Sequence, residues 1–169
     1  ALNDIDGAYF ILDVVKKLYS EGFQFKDILI LYRRSRHITP YKEIFNKTGT
    51  KINIKTIHGS KGLESRVVFL VGLTSEGFPY VWEDTRIIQV IKKTNLLKKE
   101  EEERRTFYVA MTRAKEKLFL ISEKSNQSEY CDDIPEEFKK VEVSKREFSE
   151  EMLSKVLKET YDMVQVGKS

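Results

Sequence analysis

Residues Ile28-Leu29-Ile30-Leu31-Tyr32 form an apolar run with no polar interruption, and Val67-Val68-Phe69-Leu70-Val71 forms a second. A strand with one wet face alternates apolar and polar side chains. An unbroken run of β-branched and aliphatic residues needs cover on both faces, which a parallel sheet flanked by helices provides. The two runs therefore set the expected fold class, an α/β chain with a mostly parallel sheet between helices.

The remaining segments fit that frame. Residues 6–20 place Ile11, Leu12, Val15, Leu18 and Tyr19 on one helical stripe, with Gly22 as the stop. Thr39-Pro40 has the form of an N-cap followed by proline at the first helical position, opening a short helix with Tyr41, Ile44 and Phe45 inward and Gly49 at its end. Lys51–Ile57 alternates polar residues with isoleucine, the pattern of a strand with one face toward the core. In Glu100–Ala114 four glutamates lead into Phe107, Tyr108, Val109, Ala110 and Met111, so a helix buries one face there and carries Arg113 at its C-terminal end. The glutamates suit the positive end of a helix dipole and need no further role. Residues 86–99 fit either a helix or a partly ordered insertion. Lys117–Ser122 reads as a further strand, Phe138–Val143 as a last short one, and Arg146–Val164 as a terminal helix.

With 169 residues and 40% hydrophobic content, one domain can bury a core without disulfides or metals. The single cysteine, Cys131, excludes a disulfide framework within the chain, and with only His37 and His58 beside it no metal cluster is expected. No apolar run reaches membrane-spanning length and no signal-peptide pattern opens the chain, so a cytoplasmic protein without membrane contact is the expectation. The net charge of +3 hides an asymmetry: residues 1–99 carry 17 basic against 10 acidic side chains, residues 100–169 carry 13 against 17. A basic half permits a polyanionic partner without requiring one.

Three places carry candidate chemistry. Arg33, Arg34 and Arg36 follow directly on a buried strand, and the carboxyl ends of strands in open α/β sheets are where ligands bind; a solvated basic loop fits the same residues. His58-Gly59-Ser60-Lys61-Gly62-Leu63-Glu64 combines two glycines, a hydroxyl and a lysine, the makings of an anion site or of an ordinary turn. It is not a Walker A loop, which requires G-x-x-x-x-G-K-[ST]. Glu64 would repel phosphate and suits a sugar hydroxyl better. Arg113, at the end of a packed helix, is either a surface charge or a planar fork for phosphate oxygens. Phe78, Tyr80 and Trp82 lie on a polar loop, where a plug for the end of the core is expected ahead of base stacking.

Taken in order, strand-YRRSR, TIHGSKGLE with its following strand, and EEERRTFYVAMTRAKEKLFL resemble the C-terminal RecA-like motor lobe of UvrD/Rep-type superfamily 1 DNA helicases. The resemblance covers about residues 28–122 and is nearest the helicase IV type, with about 20 residues where many relatives insert a large accessory subdomain. It implies a P-loop-NTPase-type sheet without its own Walker A loop, residues 1–145 forming the second motor lobe and 146–169 a C-terminal helix or tail. It also implies ATP as cofactor with Mg2+ held by an N-terminal motor lobe of the same protein, and single-stranded DNA as partner. An isolated chain of this kind is expected to be inactive alone.

The resemblance also implies roles. Tyr32 would stack on adenine, and Arg33 and Arg113 would reach the γ-phosphate as catalytic arginines. Gly62 and Glu64 would contribute the ribose contact. Thr56, His58, Ser60 and Lys61 would touch the DNA backbone. The expected activity is 3′-to-5′ helicase or translocase motion; the alternative is a degenerate lobe that serves as a nucleic-acid or protein-binding module.

Overall fold

The computed structural model describes residues 3–80 and 89–142, with the backbone alone for 89–97. Seven main elements follow one another: α1 (Asp4–Ser20), β1 (Ile28–Tyr32), α2 (Ser35–Thr48), β2 (Asn53–Thr56), β3 (Ser65–Val71), α3 (Gln89–Met111) and β4 (Ala114–Leu120). The strands form one sheet in the order β2-β1-β3-β4, and every neighbouring pair is parallel. Such an all-parallel arrangement places every strand's carboxyl end at one edge and every amino end at the other.

The two unbroken apolar runs become β1 and β3, whose alternate residues serve two cores. Ile28, Ile30, Tyr32, Val67, Phe69 and Val71 pack against α1 and α2. Leu29, Leu31, Val68 and Leu70 face the other way, toward Phe107 and Ala110 of α3 and toward Phe78 and Tyr130. Phe78, Phe107 and Tyr130 meet at ring-centroid distances of 5.4 to 5.7 Å and close that second core. Phe78 is thus the expected plug, whereas Tyr80 is half-buried and Trp82 lies outside the described residues.

Several boundaries differ from the sequence expectation. α1 buries Ile11, Leu12, Val15 and Leu18 as expected, but Tyr19 is 36% exposed. α2 starts at Ser35 after an extended Arg34, not at Thr39-Pro40, so Pro40 lies inside the helix and forgoes the bond to the Arg36 carbonyl. Burial of His37 and Ile38 in the first turn outweighs that loss. Gly49, at φ +67°, ends α2 in the left-handed conformation as anticipated. β2 is shorter than Lys51–Ile57, and β4 begins at Ala114, ahead of Lys117. Phe138 lies in a short 3-10 turn and residues 139–142 form no strand; with Phe138 and Val141 both about three-quarters exposed, that segment has no apolar face to pair. The expected Arg146–Val164 helix and the 146–169 tail lie outside the described residues. Among the described residues no helix is long and apolar enough to cross a membrane, and no group of three or more His, Cys, Asp or Glu side chains could hold a metal.

Candidate functional site

Residues 57–64 carry the chain from the carboxyl end of β2 back to the amino end of β3, about 20 Å along the strands, without a helix. A parallel connection of this length is short and must be tightly shaped. Thr56 Oγ1 accepts the Gly59 amide at 2.9 Å, and Ser60 Oγ donates to the Ile57 carbonyl at 2.6 Å, which together form the turn His58–Ser60. A Cβ on Gly59 would stand 2.9 Å from Thr56 Oγ1, so the turn requires glycine there. Gly62 has φ +80°, a conformation that side chains resist, with open space around it. The loop therefore joins the two edges of the sheet.

At the amino edge the structure brings Glu64 and Arg113 together. Ser65 N donates to Arg113 O at 3.0 Å, and Ser65 pairs with Ala114 at the start of β3 and β4. Glu64 and Arg113 thus each stand one residue before neighbouring strands, near Gly62. The Arg113 side chain is oriented by its own surroundings: Nε donates to Val109 O at 3.0 Å and Nη1 to Leu63 O at 3.4 Å. Nη2 has no hydrogen bond among the described residues. Glu64 is solvent-facing, with Lys115 Nζ 3.1 Å from Oε2. Tyr108 and Val109, expected to be inward, are 64% and 37% exposed beside this edge.

Arg33 lies elsewhere. It follows the last residue of β1, at the carboxyl edge, where its Nε and Nη2 bind both oxygens of Glu103, the closest at 2.7 Å. Glu103 lies eight residues, about 12 Å along the helix axis, before the end of α3 at Met111, and Arg113 follows two residues beyond it. Arg33 and Arg113, which the resemblance assigns to one phosphate, thus stand at opposite edges of the sheet. Glu64 and Arg113 each precede a strand, β3 and β4, and so stand at the amino edge. Tyr32 is 9% exposed, with its ring in the core between α1 and α2 and the Lys42 ammonium 5.7 Å from its centroid. Little of that ring is open to a base.

The backbone-contact residues divide as well. Ser60 is fully buried and its hydroxyl is spent on Ile57, so it shapes the loop and cannot touch a partner. His58 and Lys61 are exposed and Thr56 is half-buried. Ile57 N donates to Tyr32 O at 3.0 Å, which sets the His58 turn against the end of β1 and next to Arg33. Glu103, dismissed with the other glutamates, is the buried carboxylate of this edge, at 5% exposure. A signal was present: Glu103, Phe107 and Ala110 follow helical spacing, so the apolar stripe extended backward passes through Glu103.

A family model described as the UvrD-like helicase C-terminal domain matches residues 38–125. A "Probable DNA helicase" of Mycoplasma pneumoniae is 34% identical over 119 residues, covering 67% of this chain and 21% of that protein. A "Probable DNA helicase II homolog" of Mycoplasma capricolum is 42% identical over 78 residues, 46% of this chain and 9% of that protein. An ATP-dependent helicase/nuclease protein of Lactobacillus helveticus is 33% identical over 122 residues, 60% of this chain and 10% of that protein. The chain spans about a fifth or less of the length of these relatives. The family match includes the 57–64 loop, α3 and Arg113; Arg33 lies outside it.

Proposed function

Since the chain belongs to the UvrD-like helicase C-terminal domain family, we propose that it is the second motor lobe of an ATP-dependent 3′-to-5′ DNA helicase or translocase and supplies half of a nucleotide site. Residues 1–145 would form the lobe and 146–169 a C-terminal helix or tail. The observation that carries this reading is the Ser65–Arg113 backbone bond, which holds Arg113 beside the start of β3, one residue after Glu64, at one edge of the sheet. A sugar hydroxyl suits Glu64, and a terminal phosphate suits the unengaged Nη2 of Arg113. Open space at Gly62 leaves room for the nucleotide to approach the backbone.

The site is a half-site because the sequence has no G-x-x-x-x-G-K-[ST] loop. An N-terminal lobe would hold the phosphates and Mg2+, and ATP would supply the phosphoryl group whose transfer the cleft promotes. Arg113 would stabilise charge on that group as it transfers, the role of an arginine finger. The carboxyl edge, with His58, Lys61 and Thr56, would face single-stranded DNA. Because residues 57–64 connect that edge to Glu64, closure of the cleft on ATP would shift the loop that meets the strand.

Arg113→Ala in the full-length protein tests the assignment. DNA-stimulated ATP hydrolysis is expected to fall on the order of 10³-fold or more. A wild-type rate would overturn the motor reading in favour of a binding module that no longer uses ATP.

A further inference from the structure

Beyond the carboxyl ends of β3 and β4, where both strands meet the first turn of α1, lies a narrow crevice whose lining includes Asp4, Tyr41, Thr74 and Glu123. Tyr41 is 0% exposed and Thr74 2%, and neither hydroxyl has a hydrogen-bond partner among the described residues. Gly7 gives the phenol its place: a Cβ there would stand 2.3 Å from the Tyr41 oxygen and 3.2 Å from Ile121 Cγ2. Glycine inside a helix costs stability relative to alanine, so α1 bears that cost around a hydroxyl that bonds to nothing.

The crevice is also acidic. Asp4 contacts His37 Nδ1 through Oδ2 at 2.9 Å, with no hydrogen bond to Oδ1 among the described residues. The Glu123 carboxylate, half-buried beyond β4, has neither a hydrogen bond nor an ion pair among them. Burial, and after it the charges of Asp4, Glu123 and Asp6, hold the Tyr41 hydroxyl well above the usual tyrosine range. The α1 dipole accounts for Asp4 and Asp6 in its first turn, but not for Glu123 or for the two bare hydroxyls. Water, the usual partner of a buried hydroxyl, needs more room than this crevice has. A bare cation needs less, since oxygen sits about 2.3–2.6 Å from Ca2+ and about 2.8 Å from a water oxygen.

We infer that the crevice binds a hard cation stripped of water, held by Asp4, Glu123 and the hydroxyls of Tyr41 and Thr74. Two carboxylates balance a divalent charge. Ca2+ accepts irregular all-oxygen sites, whereas Mg2+ keeps several of its waters, so Ca2+ is the better match. Hydroxyls complete this ligand set, which sets it apart from clusters of three or more His, Cys, Asp or Glu side chains, of which the described residues hold none. The ion joins α1, α2 and the ends of β3 and β4, and so braces the carboxyl edge without entering the nucleotide half-site.

Thermal unfolding of the full-length protein without nucleotide, in tetramethylammonium chloride at constant ionic strength with Ca2+ added, tests it. The midpoint is expected to rise and level off as the site fills, and Glu123→Gln is expected to lose that rise. Tb3+, a Ca2+ surrogate whose emission a coordinating tyrosine excites, is expected to luminesce on the unaltered protein and to be displaced by Ca2+. Both Glu123→Gln and Tyr41→Phe are expected to lose that emission. A midpoint that ignores Ca2+, or a rise that Glu123→Gln keeps in full, overturns the inference. An equal rise on replacing tetramethylammonium by Na+ overturns the divalent assignment. Should Tyr41→Phe fail to fold, Glu123→Gln, which removes a carboxylate that bonds to nothing, still decides both measurements.

Discussion

Cys131 sits in the core cluster with Phe78, Phe107 and Tyr130, and burial, aided by the neighbouring Asp132 carboxylate, pushes its thiol up to about 11. A thiol held protonated in this way is a poor nucleophile. The folded protein is therefore expected to react with iodoacetamide at pH 8 far more slowly than the guanidinium-unfolded chain; equal rates would mean that this core is open. Because the folded value lies above the ordinary 9.0, the unfolded chain releases the proton first. The thiol's contribution to stability is complete below about pH 9 and is lost as pH rises toward 11, readable as a falling urea midpoint. Residue-scale features such as these are the ones that sequence conceals. Ser60 and His58 look equally polar in HGSKGLE, yet the turn buries the first and exposes the second. Four consecutive glutamates look alike, and only the phase of α3 selects Glu103 to meet Arg33.

Elements were more legible, because covering two faces of a strand demands a pattern that little else produces. β1 and β3 appear where their unbroken apolar runs lie, and Arg33 and Glu64 follow as their sequence neighbours. The start of α2 was not legible: Thr39-Pro40 carries a strong local signal, but burial of His37 and Ile38 decides where the helix begins. α3 has the most consequence for function, since it carries Glu103, leads into Arg113 in the two-residue turn that follows it, and packs on the sheet through Phe107, 4% exposed, against Phe78 and Tyr130. Phe107→Ala is expected to cost about 3–5 kcal/mol by leaving a cavity in that aromatic cluster, measured as a lowered urea midpoint with an unchanged slope. A loss below about 1 kcal/mol would show that α3 is held mainly by its polar contacts at Glu103 and Arg113.

For the whole molecule, the parallel sheet separates the two proposed sites by about its own height. The amino edge presents Glu64 and Arg113, the carboxyl edge His58 and Arg33, and residues 57–64 span the distance between them. Sequence order could not reveal this separation, because all four residues sit beside strands and only strand direction assigns each to an edge. The arrangement also limits what the chain can do by itself. In the proposed assignment Arg113 would stabilise charge on a phosphoryl group without holding the rest of a triphosphate, and among the described residues no group of three or more His, Cys, Asp or Glu side chains gathers to hold a metal. The 169-residue chain alone is therefore expected to hydrolyse no ATP above background, with or without oligo(dT), while still binding oligo(dT) weakly through its carboxyl edge in a salt-dependent way. Phosphate release and anisotropy on the same preparation measure both. Hydrolysis by the isolated chain that disappears in Arg113→Ala would mean that the half-site is complete after all, and strand binding insensitive to salt would mean that the carboxyl edge does not hold phosphates.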